Sequence, residues 1–206
     1  MNRFNERAFN FLSWCPGALG LLLRKLFFPR LFRHCGRDVL FGRFLTIRNP
    51  GKITIGDHVV ISDRVVLDAG RFEKPGPGIV LHDQLFIGVG TILEAGPASI
   101  MVRSGANFSN YCTLQAHVPI YIGDGTLLAA FCRVGRGIGD KPEMPEQFQK
   151  SGIVIGEGCW VGARGRIEKS LRVGKGAIVG AHAELQASLP DYAIAVGRPA
   201  KPIRTR

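Results

Sequence analysis

The chain is poor in acids and has no long hydrophobic run. Its 206 residues carry 16 acidic against 27 basic side chains, a formal net charge of +11. The apolar run near the N-terminus is too short, and too interrupted by Arg24 and Lys25, to cross a bilayer, which needs about 20 apolar residues. No small-residue cleavage site follows it, so a secretory leader is not expected. The 5 cysteines are odd in number and lack metal-ligand spacing. That excludes a disulfide framework and predicts a reduced, cytoplasmic setting. No pair among the 5 histidines is spaced to converge on one ion from adjacent coils, so no metal is expected. The basic excess invites a nucleic-acid reading. However, no helix-turn-helix, zinc-finger or RNA-binding signature accompanies it, and no nucleic-acid partner is expected. Residues 1–37 hold seven Lys/Arg against one Glu, and Arg198, Lys201, Arg204 and Arg206 crowd the C-terminal end. An anionic membrane surface or a polyphosphorylated cofactor suits that distribution better.

What is present is a period. Ile155, Val161, Ile167, Val173, Val179 and Leu185 return at every sixth position. A helix would repeat at 3.6 and an ordinary strand at two, so a fixed six-residue period is neither. Each hexapeptide supplies one short strand and a tight corner, and three close a triangular coil. The aliphatic residue points inward, and so does the small residue two places before the next aliphatic. Cys112, Cys132 and Cys159 fall at that small position and read as buried thiols. Stacked coils bury their apolar sides on one another, as in other solenoids.

Taken in order, residues 1–37 form an N-terminal amphipathic helical segment. Phe4, Ala8, Phe11, Leu12 and Cys15 share one helical face. After Pro16, Leu19, Leu22, Leu23, Leu26 and Phe27 share another, with Arg24 and Lys25 turned away. Two readings stand: a helix lying on the cytoplasmic leaflet of the membrane, or a cap on the open end of the solenoid. Residues 38–190 carry about six coils. After a less regular lead-in over Val39–Ile53, they are set by Ile55/Ile61/Leu67, Leu81/Ile87/Leu93, Val102/Phe108/Leu114, Ile122/Leu128/Val134, Ile155/Val161/Ile167 and Val173/Val179/Leu185. Loops are expected over 70–78 and 135–152, the second long enough to suggest function. Residues 191–206 are a basic tail.

These hexapeptides, together with Asn107-Phe-Ser-Asn-Tyr-Cys, Ile155-Gly-Glu-Gly-Cys-Trp-Val-Gly-Ala163, Val179-Gly-Ala181 and the run from Leu189 through Gly-Arg-Pro-Ala-Lys201-Pro-Ile-Arg204, resemble the hexapeptide-repeat acetyltransferases. Within that family the chain looks like the maltose/galactoside and polysaccharide O-acetyltransferases. The resemblance covers roughly residues 38–206 and implies an all-β, left-handed parallel β-helix. It implies a homotrimer with acetyl-CoA bound between subunits, acting on a sugar or glycan acceptor, with the N-terminal segment peripheral to an anionic membrane at the inner face. By the same carry-over, Ala163 and Ala181 lie along the pantetheine arm, Lys201 and Arg204 lie near the cofactor's phosphates, and Asn110 is an acceptor-site residue.

One departure matters. The family's catalytic base is a His in the loop after the fourth coil, and residues 135–152 contain none. Acyl transfer to an alcohol needs a base to take the hydroxyl proton. His58, His117 and His182 each occupy the fourth place of a hexapeptide, typically an outward corner; His34 and His82 read as surface residues. His117 is the candidate base, because it precedes the fourth coil, where the related enzymes place an acceptor-touching acid. The alternative is a plain corner residue. Asp140, a candidate acceptor-site residue, and Glu143 or Glu146 are further bases to consider. If none serves, the chain is a catalytically silent trimeric scaffold at the membrane surface.

Overall fold

A computed structural model describes residues 9, 11–71, 73–135 and 152–205. Most of the expected loop over 135–152, with Asp140, Glu143 and Glu146, lies outside these residues, as do Phe4 and Ala8. The described chain folds as a left-handed parallel β-helix built from three sheets. The first has 7 strands, from His34–Cys35 to Arg172–Val173. The second has 9 strands, from Leu40–Phe41 to the C-terminal hairpin. The third has 7 strands, from Thr46–Arg48 to Glu184–Leu185.

The six-residue period sets the register directly. Ile55, Leu81, Val102, Ile122, Ile155 and Val173 stack in one column. Ile61, Ile87, Phe108, Leu128, Val161 and Val179 form a second, and Leu67, Leu93, Leu114, Val134, Ile167 and Leu185 a third. All are buried. The small inward residues behave as their size demands. Cys112 Sγ lies 3.2 Å from the Ala129 carbonyl, Cys132 Sγ 3.1 Å from that of Gly162, and Cys159 Sγ 2.9 Å from that of Gly174. Thr126 Oγ1 likewise donates to Gly156 O at 2.7 Å. Corners are stapled by acidic or amide oxygens. Asp57, Asp63, Asn110, Asp124 and Asp191 each accept a backbone N–H from the preceding coil.

The prism begins one coil earlier than the sequence period suggested. Cys35, Phe41 and Ile47, also six residues apart, pair with Ile55, Ile61 and Leu67. Its open end is closed by aromatics. Phe28 and Phe32 lie 5.5 and 5.7 Å from the Phe41 ring, and Phe9 stacks on Phe28 at 5.1 Å. At the other end the basic tail is an antiparallel hairpin. Ala193–Gly197 pairs with Ile178–Val179 on one side and with Ala200–Thr205 on the other.

The helix Gly17–Phe27 does not cap the prism with its leucines. Arg24 turns away from the leucine face as expected, but into the protein rather than into solvent. Its guanidinium donates to Phe41 O at 2.8 Å, Cys15 O at 2.8 Å and Leu12 O at 3.0 Å. A buried charge is tolerated when its donors are met in this way. Gly20 completes the seat, since a Cβ there would strike the Cys15 carbonyl.

The stacked columns make a core substitution costly, because a coil cannot collapse without pulling on both neighbours. Phe108 is 1% exposed in the middle of its column. Phe108→Ala is expected to lower unfolding stability by about 3–5 kcal/mol, read as a shift in the urea midpoint at unchanged slope.

Candidate functional site

The three corners of the prism are not alike. Where the second sheet turns into the third, the backbone enters the left-handed region once per coil. Phe44, Arg64, Tyr111, Phe131, Arg164 and His182 all have φ between 55° and 62°. Where the third sheet turns back into the first, the chain leaves the wall instead. The turn over 70–78 starts there, and so does the segment that follows Gly135.

His117 sits at this third corner, between the strands Thr113–Ala116 and Ile120–Ile122. It therefore differs from His58 and His182, which have left-handed φ values of 56° and 59° and are plain corner residues. His117 is half-buried, and its Nε2 is shielded from solvent with no hydrogen-bond partner among the described residues. An imidazole nitrogen left unmet in this way is uncommon in a folded protein. The loop is rooted on either side of it. Gly135, at φ +79°, rests on the Gln115 carbonyl, and Gly152 rests on that of Pro119. A Cβ at either glycine would strike that carbonyl. The described residues on either side of 136–151, Gly135 and Gly152, thus both sit against the backbone that flanks His117.

The cofactor candidates gather elsewhere, at the corner between the second and third sheets. Gly162-Ala163 and Gly180-Ala181 lie on adjacent coils, with His182 N donating to Ala163 O at 2.8 Å. A Cβ at Gly162 would stand 2.5 Å from Ala181 N. These four residues leave a strip of wall with almost no side chain. Val196 packs on Gly180 and pairs across the hairpin with Lys201, while Ile194 pairs with Arg204. Paired residues in a ladder share a face. A bulge at Ile194/Ala195 absorbs the odd spacing between the two basic residues, so Lys201 and Arg204 both stand on the outer face of the second sheet. The strip and the two cations are therefore continuous.

Asn110 is at the same kind of corner as the strip, not at the corner of His117. Its Oδ1 already accepts Val89 N at 3.0 Å, which leaves its NH₂ for any acceptor. Asp140 is outside the described residues. One feature was missed in the sequence. Leu40, Val60, Phe86, Leu127, Trp160, Ile178 and Ile194 fall in one outward row of the second sheet, interrupted only by Asn107. The signal was available one place before each inward aliphatic of every second strand, where an outward residue should be polar.

The thiols are shifted in both directions: the hydrogen bond with Cys132 lowers Cys112, which is itself fully buried. Burial pushes the Cys35 thiol up to about 11 and raises Cys159; the neighbouring Cys112 thiol and burial raise Cys132. Among the described residues no cluster of three or more His, Cys, Asp or Glu could hold a metal ion.

No family model matches the chain. Among curated proteins, it is 27% identical over 164 residues to a probable acetyltransferase of Mycobacterium tuberculosis, covering 66% of this chain and 55% of that one. It is 29% identical over 140 residues to a chloramphenicol acetyltransferase of Escherichia coli, covering 68% and 59%. The chain thus spans little more than half the length of these two relatives. It is 25% identical over 178 residues to the dTDP-4-amino-4,6-dideoxy-D-glucose acyltransferase of Escherichia coli, covering 85% and 83%. Among solved structures, it resembles AntD, an N-acyltransferase from Bacillus cereus in complex with dTDP and 3-hydroxybutyryl-CoA. The TM-score is 0.57 at 24% identity, covering 86% of this chain and 85% of that one. The relatives are acetyl- and acyltransferases of the hexapeptide-repeat type, as the repeat and the C-terminal run suggested.

The raised thiols give a direct check. With its pKa moved from the ordinary thiol range to about 11, native Cys35 has roughly a hundredfold less thiolate at pH 8. Ellman's reagent should label Cys35 correspondingly slowly in the native protein, read as the difference between the parent and Cys35→Ser, and all five thiols promptly in denaturant. The sign carries over to stability. Unfolded thiols ionise first, so this contribution is intact below the ordinary thiol pKa and is lost as pH rises towards about 11.

Proposed function

We propose that this chain is a CoA-dependent acyltransferase that moves an acetyl group onto a sugar hydroxyl in surface-polysaccharide or lipid-linked glycan synthesis, working as a homotrimer. The observation that carries this is the bare strip Gly162-Ala163/Gly180-Ala181 running into Lys201 and Arg204 on one face. A pantetheine arm is long, thin and mostly uncharged, and needs wall without side chains. A nucleotide with a 3′-phosphate and a pyrophosphate needs cations at one end of that wall. The chain offers both in sequence.

The base lies at a different corner. His117 is separated from the strip by the third sheet, whose strand Thr113–Ala116 has 4 residues, about 13 Å. One chain cannot bring its own imidazole to its own strip. A second copy, presenting its His117 corner to this strip, can. Closed cyclic symmetry then repeats the site at every interface. The apolar outer row of the second sheet, which includes Trp160, is the surface such packing would cover.

In the reaction, the acceptor oxygen attacks the thioester carbonyl carbon while His117 Nε2 takes the hydroxyl proton. The tetrahedral intermediate then collapses, the C–S bond breaks, and the CoA sulfur leaves as a thiol when the proton is returned to it. The unmet Nε2 is the atom this scheme uses. Asn110 NH₂ and Asp140 remain candidates for holding the acceptor.

The test is turnover of acetyl-CoA, followed as free CoA thiol, against a panel of sugar acceptors. The panel includes amino sugars, since one relative is named for an amino-sugar substrate. Absence of both acetyl-CoA binding and turnover with every acceptor would end this reading. His117→Ala should lower kcat about 10²–10⁴-fold with CoA affinity unchanged. Lys201→Glu combined with Arg204→Glu should do the reverse, weakening CoA roughly tenfold or more while the bound complex still turns over. Titration calorimetry with CoA separates the two.

A further inference from the structure

The helix Gly17–Phe27 presents a surface that acyl transfer does not use. Leu19, Leu22 and Leu26 are 64%, 54% and 53% exposed, whereas Arg24 on the same helix is 3% exposed. Positions 19, 22 and 26 follow i, i+3 and i+7, so the three leucines form one stripe. Phe11 and Trp14, on the preceding helical turn, are 57% and 56% exposed. The arrangement is the reverse of an ordinary surface helix, which buries its leucines and shows its arginine. The three bonds from Arg24 to the carbonyls of Leu12, Cys15 and Phe41 fix the rotation that produces it. The end of the prism does not need these leucines, because Phe28, Phe32 and Phe9 already close it.

We propose that this leucine face seats the protein on an anionic lipid bilayer. The segment that carries it is basic throughout. Residues 9–37 contain no Asp or Glu, and Lys25, Arg30, Arg33 and Arg37 are exposed there. Lys25 and Arg37 pair with Asp38 and Asp57 of the first coils. Arg30 bonds the Leu26 carbonyl and lies over the Phe27 ring, and Arg33 makes no ion pair with the described residues, so neither has its charge neutralised there. Exposed leucines and aromatics on a basic segment, with Arg30 and Arg33 free of acidic partners among the described residues, form the pattern of a helix that lies in the headgroup region. A second copy meeting the same patch about a two-fold axis would set positive against positive, which disfavours self-association. No described helix is long and apolar enough to cross a membrane, so the seat is interfacial. The inference stands apart from the acyltransferase reading, since neither the bare strip nor the His117 corner takes part.

The experiment is sedimentation of the full-length protein with vesicles of phosphatidylcholine alone or mixed with phosphatidylglycerol. The protein should partition onto the phosphatidylglycerol vesicles, less so as salt rises. Leu22→Ser with Leu26→Ser should weaken partitioning on the order of a hundredfold, and Arg30→Glu with Arg33→Glu about tenfold or more. Both variants should keep the parent's thermal unfolding, its CoA affinity and its turnover of soluble acceptor. Failure of the parent protein to bind anionic vesicles would overturn the proposal. So would undiminished binding by the leucine variant, or a changed sedimentation-velocity mass in that variant without a change in vesicle binding, which would mean a second copy covers the face.

Discussion

The fold depends on one constraint: each inward side chain must lie above the like side chain of the coil below. A parallel solenoid has no second layer to pack against, so its interior is filled only by its own columns. Ile55 to Val173, Ile61 to Val179 and Leu67 to Leu185 satisfy this with branched aliphatics at every level but that of Phe108. The corners need small inward residues for the same reason. Thr91, Cys112 and Cys132 stack at one corner, Thr126 and Cys159 at another. Their hydroxyl and thiol groups meet backbone carbonyls that the corner geometry leaves turned inward.

That constraint fixes only the inside, which explains what could be read in advance. The six-place period named the inward residue of all six expected coils, because burial allows little else there. It missed the coil at Cys35, Phe41 and Ile47 because that level carries an aromatic and a thiol where later levels carry aliphatics. Outward positions obey no such rule. The apolar row through Phe86, Leu127 and Trp160 is set by what the second sheet will face, and a single chain's period does not encode that. The helix left one question open for a related reason. Helical spacing separated Arg24 from the leucines correctly. Which of the two faces turns inward depended on three carbonyls contributed by residues 12, 15 and 41, and no local pattern reveals them.

The candidate site was legible in proportion to its dependence on the wall. Ala163 and Ala181 follow Gly162 and Gly180 in two successive hexapeptides, so the coil register alone places them side by side. Lys201 and Arg204 are three residues apart, a spacing that would put them on opposite faces of a regular strand. Only the bulge at Ile194/Ala195 returns them to one side. His117 shared its hexapeptide place with His58 and His182. What distinguishes it is the geometry of the third corner, where the chain turns without the left-handed residue used by the other two histidines.

The corners also divide the labour of the molecule. A corner built on left-handed residues is smooth and tightly stapled, and suits a surface along which an extended ligand can lie. A corner that lets the chain leave the wall can grow loops without disturbing the columns, because each loop starts and ends on the backbone of the coil below. Gly135 on Gln115 and Gly152 on Pro119 are such footings. The proposed cofactor strip and the His117 corner are thereby kept a sheet's width apart in one chain. The proposed acyl transfer needs both at one place, so under that reading two chains must meet, and the apolar row on the second sheet is the surface they would bury.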